Sequence, residues 1–137
     1  MASFKNYCES KGLFIEKDLD YYAMISDKAL DKEYHYGRSK PGTFGYEANK
    51  GSAKFALEKL EKGETNIDVI SDAIHQGWAS VARTYDDPVY ATKPEKKVNR
   101  LKLADTSYFD LPEEEKEKDR VVARALLDAF RKEHEKI

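Results

Sequence analysis

Apolar residues recur at intervals of three and four along most of the chain, which is the spacing of amphipathic helices. This pattern predicts helices over residues 3–11, 18–33, 52–62, 66–84 and 112–134. Gly12 and Gly63 stand where two of these helices should end, and Thr65 or Asn66 can cap the fourth. Asp110 and Pro112 are typical of the start of the last helix. We therefore expect a mostly helical chain.

The pattern changes between residues 85 and 109. Pro88 and Pro94 interrupt this region, and Val89-Tyr90 and residues 98–103 alternate in a way that suits short strands. We expect a small antiparallel strand pair here, which makes the fold class α+β, mostly helical. Earlier in the chain, residues 34–46 are rich in glycine and aromatic residues and predict a loop or hairpin.

Composition narrows the class of protein. The chain has 137 residues, 36% of them charged, with a net charge of −2, so we expect a single domain over residues 1–137 and no nucleic-acid polymer as partner. No apolar run approaches the length of a membrane span, so we expect no membrane partner. The single cysteine, Cys8, excludes an internal disulfide and fits a reducing compartment, so we expect a cytoplasmic protein. His35, His75 and His134 are too dispersed to predict a metal site, and no cofactor is predicted.

Two short motifs carry a family resemblance. The spacing Tyr108-x-x-Leu111-x-x-x-Glu115-Lys116-x-x-Asp119-Arg120 resembles the closing motif of the ryanodine-receptor repeat, or RyR domain, and His75-Gln76-Gly77-Trp78 supplies the His-x-x-Trp motif that the family carries upstream. The Gly-Trp-x-Tyr-Gly segment and the His-Pro pair of the family are missing between them. The resemblance implies an αββα-like repeat over residues 66–134, preceded by a helical extension over residues 1–65.

The same resemblance implies a function. RyR domains offer pockets suited to adenine nucleotides, so a single-copy bacterial or phage type is expected to bind a nucleotide-derived small molecule, such as an adenine nucleotide or an ADP-ribose-like signal, without acting as an enzyme. Such a protein could sense the ligand, or sequester it in phage–host conflict. Ryanodine receptors carry these repeats in adjacent pairs and this chain has room for one, so we expect a homo-oligomer.

Candidate ligand-binding residues come from loops and helices where cations accompany aromatic rings, because rings stack on a base and cations bind phosphate. They are His35, Tyr36, Arg38, Tyr46, His75, Trp78, Arg83, Lys97, Arg100 and Tyr108. Several have a simpler interpretation: Trp78 as core, His75 as a structural partner, the loop residues as an exposed turn or a protein-interaction tip, and the basic stretch over residues 93–102 as a solvated face.

Two other residues of the closing motif have a predicted structural role. Asp119 and Arg120 are predicted to tie the last helix to the rest of the repeat. No catalytic residue is predicted. Two alternatives stay open: a protein-interaction module that uses the aromatic loop, and a nucleotide-processing enzyme, for which His35, His75 and the Asp86-Asp87 pair are candidates.

Overall fold

The computed structural model describes residues 16–135, and within that span it contains five α-helices, two short 3-10 turns and no strand. The helices are α1 (Glu16–Tyr34), α2 (Phe44–Glu61), α3 (Ile67–Thr84), α4 (Pro94–Ala104) and α5 (Glu113–Glu135). The 3-10 turns are Pro88–Ala91 and Tyr108–Asp110. The helix predicted over residues 3–11 lies outside the described residues.

The predicted strand pair, and with it the α+β class and the αββα-like repeat, is wrong. Residues 98–103 belong to α4, because Pro94 suits a first helical turn and the Lys, Glu, Arg and Leu residues that follow favour a helix. Val98 is exposed, whereas Leu101 and Ala104 are turned inward at helical spacing. Val89-Tyr90 forms a 3-10 turn because Asp87 caps it by accepting a hydrogen bond from the Val89 amide at 3.0 Å.

The aromatic loop is shorter than predicted. Thr43 caps α2 by accepting a hydrogen bond from the Tyr46 amide, so α2 begins at Phe44 and the loop spans residues 35–43. Residues 44–51, which include Gly45 and Gly51, are helical in spite of their glycines. The side chain of Asn66 caps α3 in the predicted way, by accepting from the amides of Asp68 and Val69.

The main core lies between α1, α2, α3 and α5. Ala53, Leu60, Ile70, Ile74 and Leu126 are nearly inaccessible to solvent and pack together with Tyr22 of α1. A smaller cluster joins α4 to the last turns of α3, where Ala79, Ala82 and Ala104 pack beside Phe44 and Trp78. α4 therefore stands beside the main bundle and leaves a cleft between itself and α5.

The backbones of α2 and α3 touch at a pair of glycines. A Cβ atom at Gly77 would lie 2.2 Å from the carbonyl oxygen of Gly51, and one at Gly51 would lie 2.7 Å from the carbonyl oxygen of Gly77. The hydroxyl of Ser52 donates a hydrogen bond to the Ile74 carbonyl at 3.0 Å across the same contact. Glycine is required at both positions because any side chain would force the helices apart.

Within residues 16–135, none of the helices combines the length and apolar character needed to cross a bilayer.

Candidate functional site

A cleft of about 800 Å³ opens between α3, α4 and the start of α5. Its walls also include residues from α1, α2 and the loop over residues 35–43. The volume falls within the range of small-molecule sites, roughly 300–1,000 Å³. Apolar side chains such as Ile74, Leu103, Leu111 and Val122 share the lining with a similar number of polar and charged ones.

One wall of the cleft is aromatic. His75 and Trp78 lie one turn apart on α3, and their rings are nearly parallel, with centroids 5.9 Å apart and an interplanar angle of 14°. The ring of Phe44, at the start of α2, meets Trp78 edge-on at 6.0 Å. Trp78 is only partly buried, so its ring belongs both to the small cluster beside α4 and to the surface of the cleft.

His75 is oriented by a backbone carbonyl. Its Nε2 lies 2.7 Å from the carbonyl oxygen of Thr106, so Nε2 carries a proton and donates a hydrogen bond to that oxygen. The other nitrogen, Nδ1, lies 3.9 Å from Oδ2 of Asp119. In the neutral ring Nδ1 is an acceptor, and it faces the carboxyl group of Asp119 at a distance too long for a direct hydrogen bond.

Asp119 lies on the cleft wall with 17% of its side chain exposed. The pKa of its carboxyl group is raised to about 8, chiefly by burial and to a lesser extent by the nearby Glu115, while Lys118 acts in the opposite direction. Desolvation disfavours the charged carboxylate, so the side chain is mostly a neutral carboxylic acid at pH 7. A group of this kind can donate one hydrogen bond and accept another.

Three cations line the cleft: Lys96 and Arg100 of α4 and Lys118 of α5. The guanidinium of Arg100 lies 3.8 Å from the centroid of the Phe44 ring, and its Nη1 donates to Asp87 at 2.7 Å and to the Tyr90 hydroxyl at 3.1 Å. The hydrogen bond from Arg100 holds the pKa of Asp87 below its ordinary value, with help from the Val89 amide.

Lys118 connects α5 to the rim of the cleft. Its ammonium donates to Glu115 at 3.2 Å and lies 5.8 Å from the centroid of the Tyr36 ring. Tyr36 is largely exposed and stacks on Tyr34, with centroids 5.4 Å apart. The loop that carries Tyr36 therefore contacts both α1 and α5.

The loop over residues 35–43 is fixed by buried Asp27. The carboxylate of Asp27 accepts a hydrogen bond from Nε of Arg38 at 2.7 Å and from the Ser39 amide. Gly37 has a φ of 81°, a conformation that other residues rarely adopt, and its amide donates to Asp31. A smaller pocket of about 220 Å³ adjoins the cleft here and shares Tyr36 and Trp78 with it.

The structure brings together about half of the predicted ligand-binding residues. Tyr36, His75, Trp78 and Arg100 line the cleft, and Arg38 lines the smaller pocket beside it.

The other five lie elsewhere. His35 is exposed at the start of the loop, the Tyr46 hydroxyl donates to Asp20 at 3.0 Å, and Lys97 is exposed on α4. Arg83 donates to the Ala104 carbonyl at 2.7 Å, while Tyr108 is buried and donates to Asp68 at 2.8 Å.

Asp119 approaches α3 only at His75, at 3.9 Å, which is too long for the predicted charge-assisted bond. Arg120 does form the predicted tie. Arg120 donates from Nε to the Tyr108 hydroxyl at 3.2 Å and from Nη1 to Glu113 at 3.0 Å. Its Nε also lies 3.5 Å from Oδ1 of Asp68. These contacts join α5 to α3 and to the turn before α5, which gives the Tyr108 and Arg120 positions of the motif a structural role.

Sequence reasoning missed several cleft residues, namely Asn49, Asn99, Glu115 and Lys118, whereas Phe44 and Lys96 belong to the aromatic loop and the basic stretch that it singled out. One signal could have found Asp119. It precedes Val122, Ala123 and Leu126 at helical spacing, so it is an acidic residue on the apolar face of α5. An ionisable residue on such a face calls for a partner or a function.

No protein-family model, curated protein or solved structure matches the chain. The two motifs behind the resemblance to the RyR domain lie on α3 and on α5 with the turn before it, and these two helices pack against each other. Within residues 16–135, no group of three or more His, Cys, Asp or Glu residues is placed to hold a metal ion.

Proposed function

We propose that the cleft binds a small, flat, anionic molecule, best matched by a nucleotide-derived compound, and that it does so without catalysing a reaction. The observation that carries this proposal is the meeting of an aromatic wall and three cations in one cleft of about 800 Å³. Rings of this kind stack on a base, and the cations bind phosphate oxygens.

The aromatic side favours a planar ligand. Trp78 is held by His75 on its face and by Phe44 at its edge, so its ring is fixed before a ligand arrives. A fixed ring loses little conformational entropy on binding, and base–aromatic stacking contributes about 1–3 kcal/mol for each base.

The charged side favours a ligand with few negative charges. Lys96, Arg100 and Lys118 supply three positive charges, and Glu115 supplies one negative charge, which leaves +2 while Asp119 is neutral. Two of the cations are already paired, Arg100 with Asp87 and Lys118 with Glu115. A monophosphate or an ADP-ribose-like diphosphate therefore suits the cleft better than a triphosphate.

Arg100 is the cation best placed for a phosphate. Its guanidinium is stacked on the Phe44 ring. In the described hydrogen bonds of this group, Nη1 is the donor, to Asp87 and to the Tyr90 hydroxyl. Asp87 holds the group in place while its remaining N–H donors stay available to a ligand. The biological role that we propose, sensing or sequestering the ligand, follows from the resemblance to the RyR domain.

The test is a binding panel measured by thermal shift and by calorimetry. AMP, ADP-ribose, ATP, adenosine and inorganic phosphate separate the contributions of base, phosphate and total charge. A ligand at about 100 times its dissociation constant should add roughly 2.7 kcal/mol to the free energy of unfolding. A panel with no shift and no heat would overturn the proposal.

Two variants on α4 localise the binding. Arg100→Gln removes a cleft cation and should weaken phosphate-bearing ligands while leaving adenosine nearly unchanged. Lys102→Gln is the matched control, because Lys102 is exposed on the same helix and is not part of the cleft. Equal losses in both variants would show that the attraction is a general effect of charge.

A nucleotide-processing enzyme is the second candidate, and the His75–Asp119 pair is the observation that favours it. A histidine with a fixed tautomer beside an acid of raised pKa is an arrangement that general acid–base catalysis uses. Incubating the protein with the same panel and separating the products by chromatography tests this. Turnover that Asp119→Asn abolishes would replace the binding proposal with an enzymatic one.

A further inference from the structure

We propose that His75 and Asp119 together bind an amino group of the ligand, with Nδ1 of His75 and the carboxyl group of Asp119 as its two acceptors. The inference deepens the proposed function and rests on it, since it assumes that a flat anionic molecule occupies the cleft. It narrows this ligand to one that carries an amino group at the edge of its ring.

The two acceptors belong to different helices and both line the cleft. His75 lies on α3 and Asp119 on α5, and Nδ1 of the histidine is 3.9 Å from Oδ2 of the aspartate. This distance is too long for a direct hydrogen bond. The exposed fraction of the side chain is 8% for His75 and 17% for Asp119, so both groups are largely removed from bulk water while they still border the cleft.

Neither acceptor is satisfied by a neighbouring group among residues 19–133. Nε2 of His75 donates to the Thr106 carbonyl, which leaves the lone pair of Nδ1 in the neutral ring without a donor. The carboxyl group of Asp119 takes part in no direct hydrogen bond with another side chain or with the backbone of these residues. Because a buried acceptor without a donor is unfavourable, a ligand that supplies the donors gains affinity here.

An amino group matches this pair because it carries two N–H donors on one nitrogen. A nitrogen about 2.9 Å from each acceptor would see them about 85° apart, which leaves each N–H···acceptor angle at about 150°. A hydroxyl group has one proton and can donate to one of the two. The match does not depend on the ionisation of Asp119, because the carbonyl oxygen of a carboxylic acid and both oxygens of a carboxylate accept hydrogen bonds.

The orientation of the imidazole favours a group at the edge of a flat ligand. The lone pair of Nδ1 lies in the plane of the imidazole, and this plane differs from that of the Trp78 ring by 14°. The lone pair therefore points along the aromatic wall. A ring that stacks parallel to Trp78 turns its edge in this direction, and an amino group attached to such a ring has its N–H bonds in the same plane.

The experiment uses three pairs of nucleoside monophosphates whose members differ by one amino group on the ring. The pairs are AMP and purine riboside monophosphate, GMP and IMP, and CMP and zebularine monophosphate. Ribose and phosphate are the same within a pair, so the ratio of the two dissociation constants isolates the amino group. Calorimetry is done at about pH 8, where imidazole groups are ordinarily neutral. The amino-bearing member of at least one pair should bind the unmodified chain about tenfold more tightly than its partner.

Substitutions at the two acceptors connect this ratio to the pair. His75→Gln can keep the bond to the Thr106 carbonyl through its amide N–H, but it lacks an acceptor in the place of Nδ1. Asp119→Leu fits the apolar face of α5 without polar atoms. Each variant should lower the ratio several-fold, and the double variant should bring it to about one. Asp119→Asn keeps an acceptor oxygen and should retain most of the ratio.

Asn99→Leu is the matched control. It removes a polar side chain from the α4 side of the same cleft and should leave the ratio unchanged. Circular dichroism melts check the fold of every variant, and His75→Gln carries the test if Asp119→Leu fails to fold.

The outcomes distinguish this inference from the proposed function. If the monophosphates bind the unmodified chain but the members of every pair bind equally, the role of His75 and Asp119 is overturned and the proposed function stands. A ratio that Asn99→Leu lowers as much as His75→Gln does would likewise show that the amino group is bound elsewhere in the cleft. Absence of binding by all six compounds and by the rest of the panel would overturn both proposals.

Discussion

Replacing Gly77 by alanine should destabilise the fold through the contact between α2 and α3. The added Cβ would lie 2.2 Å from the carbonyl oxygen of Gly51, 2.6 Å from its carbonyl carbon and 2.8 Å from the Cα of Ser52. All three atoms belong to the backbone of a helix, so no side-chain rotation can relieve the clash. The helices must separate by about 1 Å, which disturbs the packing on both sides of the crossing.

Two effects of opposite sign set the magnitude. Alanine favours a helix interior over glycine by about 1 kcal/mol. Overpacking costs about 1–3 kcal/mol, and more where the backbone has to move. Since the partner here is backbone, we expect a net loss of about 2 kcal/mol in the free energy of unfolding. For a chain of this length that corresponds to a melting temperature lower by about 4–8 °C.

Circular dichroism melts and urea titrations measure this loss. Gly45→Ala is the matched control, because the same change near the start of α2 meets only the Ser39 side chain, which can rotate away. The melting temperature of Gly51→Ala should lie between those of Gly77→Ala and Gly45→Ala, since its Cβ would lie 2.7 Å from the Gly77 carbonyl oxygen. If Gly77→Ala melts at or above the temperature of the unmodified chain, the helices are not in backbone contact and the reasoning fails.

Four further outcomes are expected. Tyr108→Phe removes a buried hydroxyl bonded to Asp68 and Arg120 and should cost about 1–2 kcal/mol in urea titrations; an unchanged midpoint would contradict this network. Trp78→Ala should cost about 3 kcal/mol, and a variant that melts like the unmodified chain would make Trp78 a ligand platform rather than core. The folded chain raises the pKa of Asp119, so the protonated side chain contributes fully to stability below about pH 4, and this contribution declines as the pH rises to about 8. The urea midpoint of the unmodified chain should therefore fall over that pH range relative to the midpoint of Asp119→Asn. Parallel curves for the two proteins would refute this prediction. Light scattering should show a homo-oligomer, and a strict monomer of 15.7 kDa with and without nucleotide would end that proposal.

The helices with a clear apolar stripe and a capping residue could be predicted from the sequence. α3 begins after Asn66 and α5 begins at Glu113, each within a residue or two of the prediction. The sequence alone could not show that residues 98–103 form a helix and not a strand, because six residues of alternating character fit both. Packing of Leu101 and Ala104 at helical spacing against α3 decided between them.

The candidate site was harder to predict than the helices. His75 and Trp78 were recognised together because they are neighbours on one helix, and Arg100 was found as part of a basic stretch. The cleft joins His75 and Trp78 to Lys118 and Asp119, which lie some 40 residues further along the chain. Local patterns carry no information on such distant contacts, which arise only when α5 packs against α3.

The proposed ligand site also depends on both halves of the described chain. Its walls include Tyr36, Phe44 and Asn49 from the first half and Arg100 and Asp119 from the second. A fragment that starts at residue 66 would lack the first group and would also expose the apolar faces of α3 and α5 that α1 and α2 cover. The motif-bearing half would thus be a poor minimal binding unit, and in titrations with denaturant the loss of ligand and the loss of helix should form a single cooperative transition.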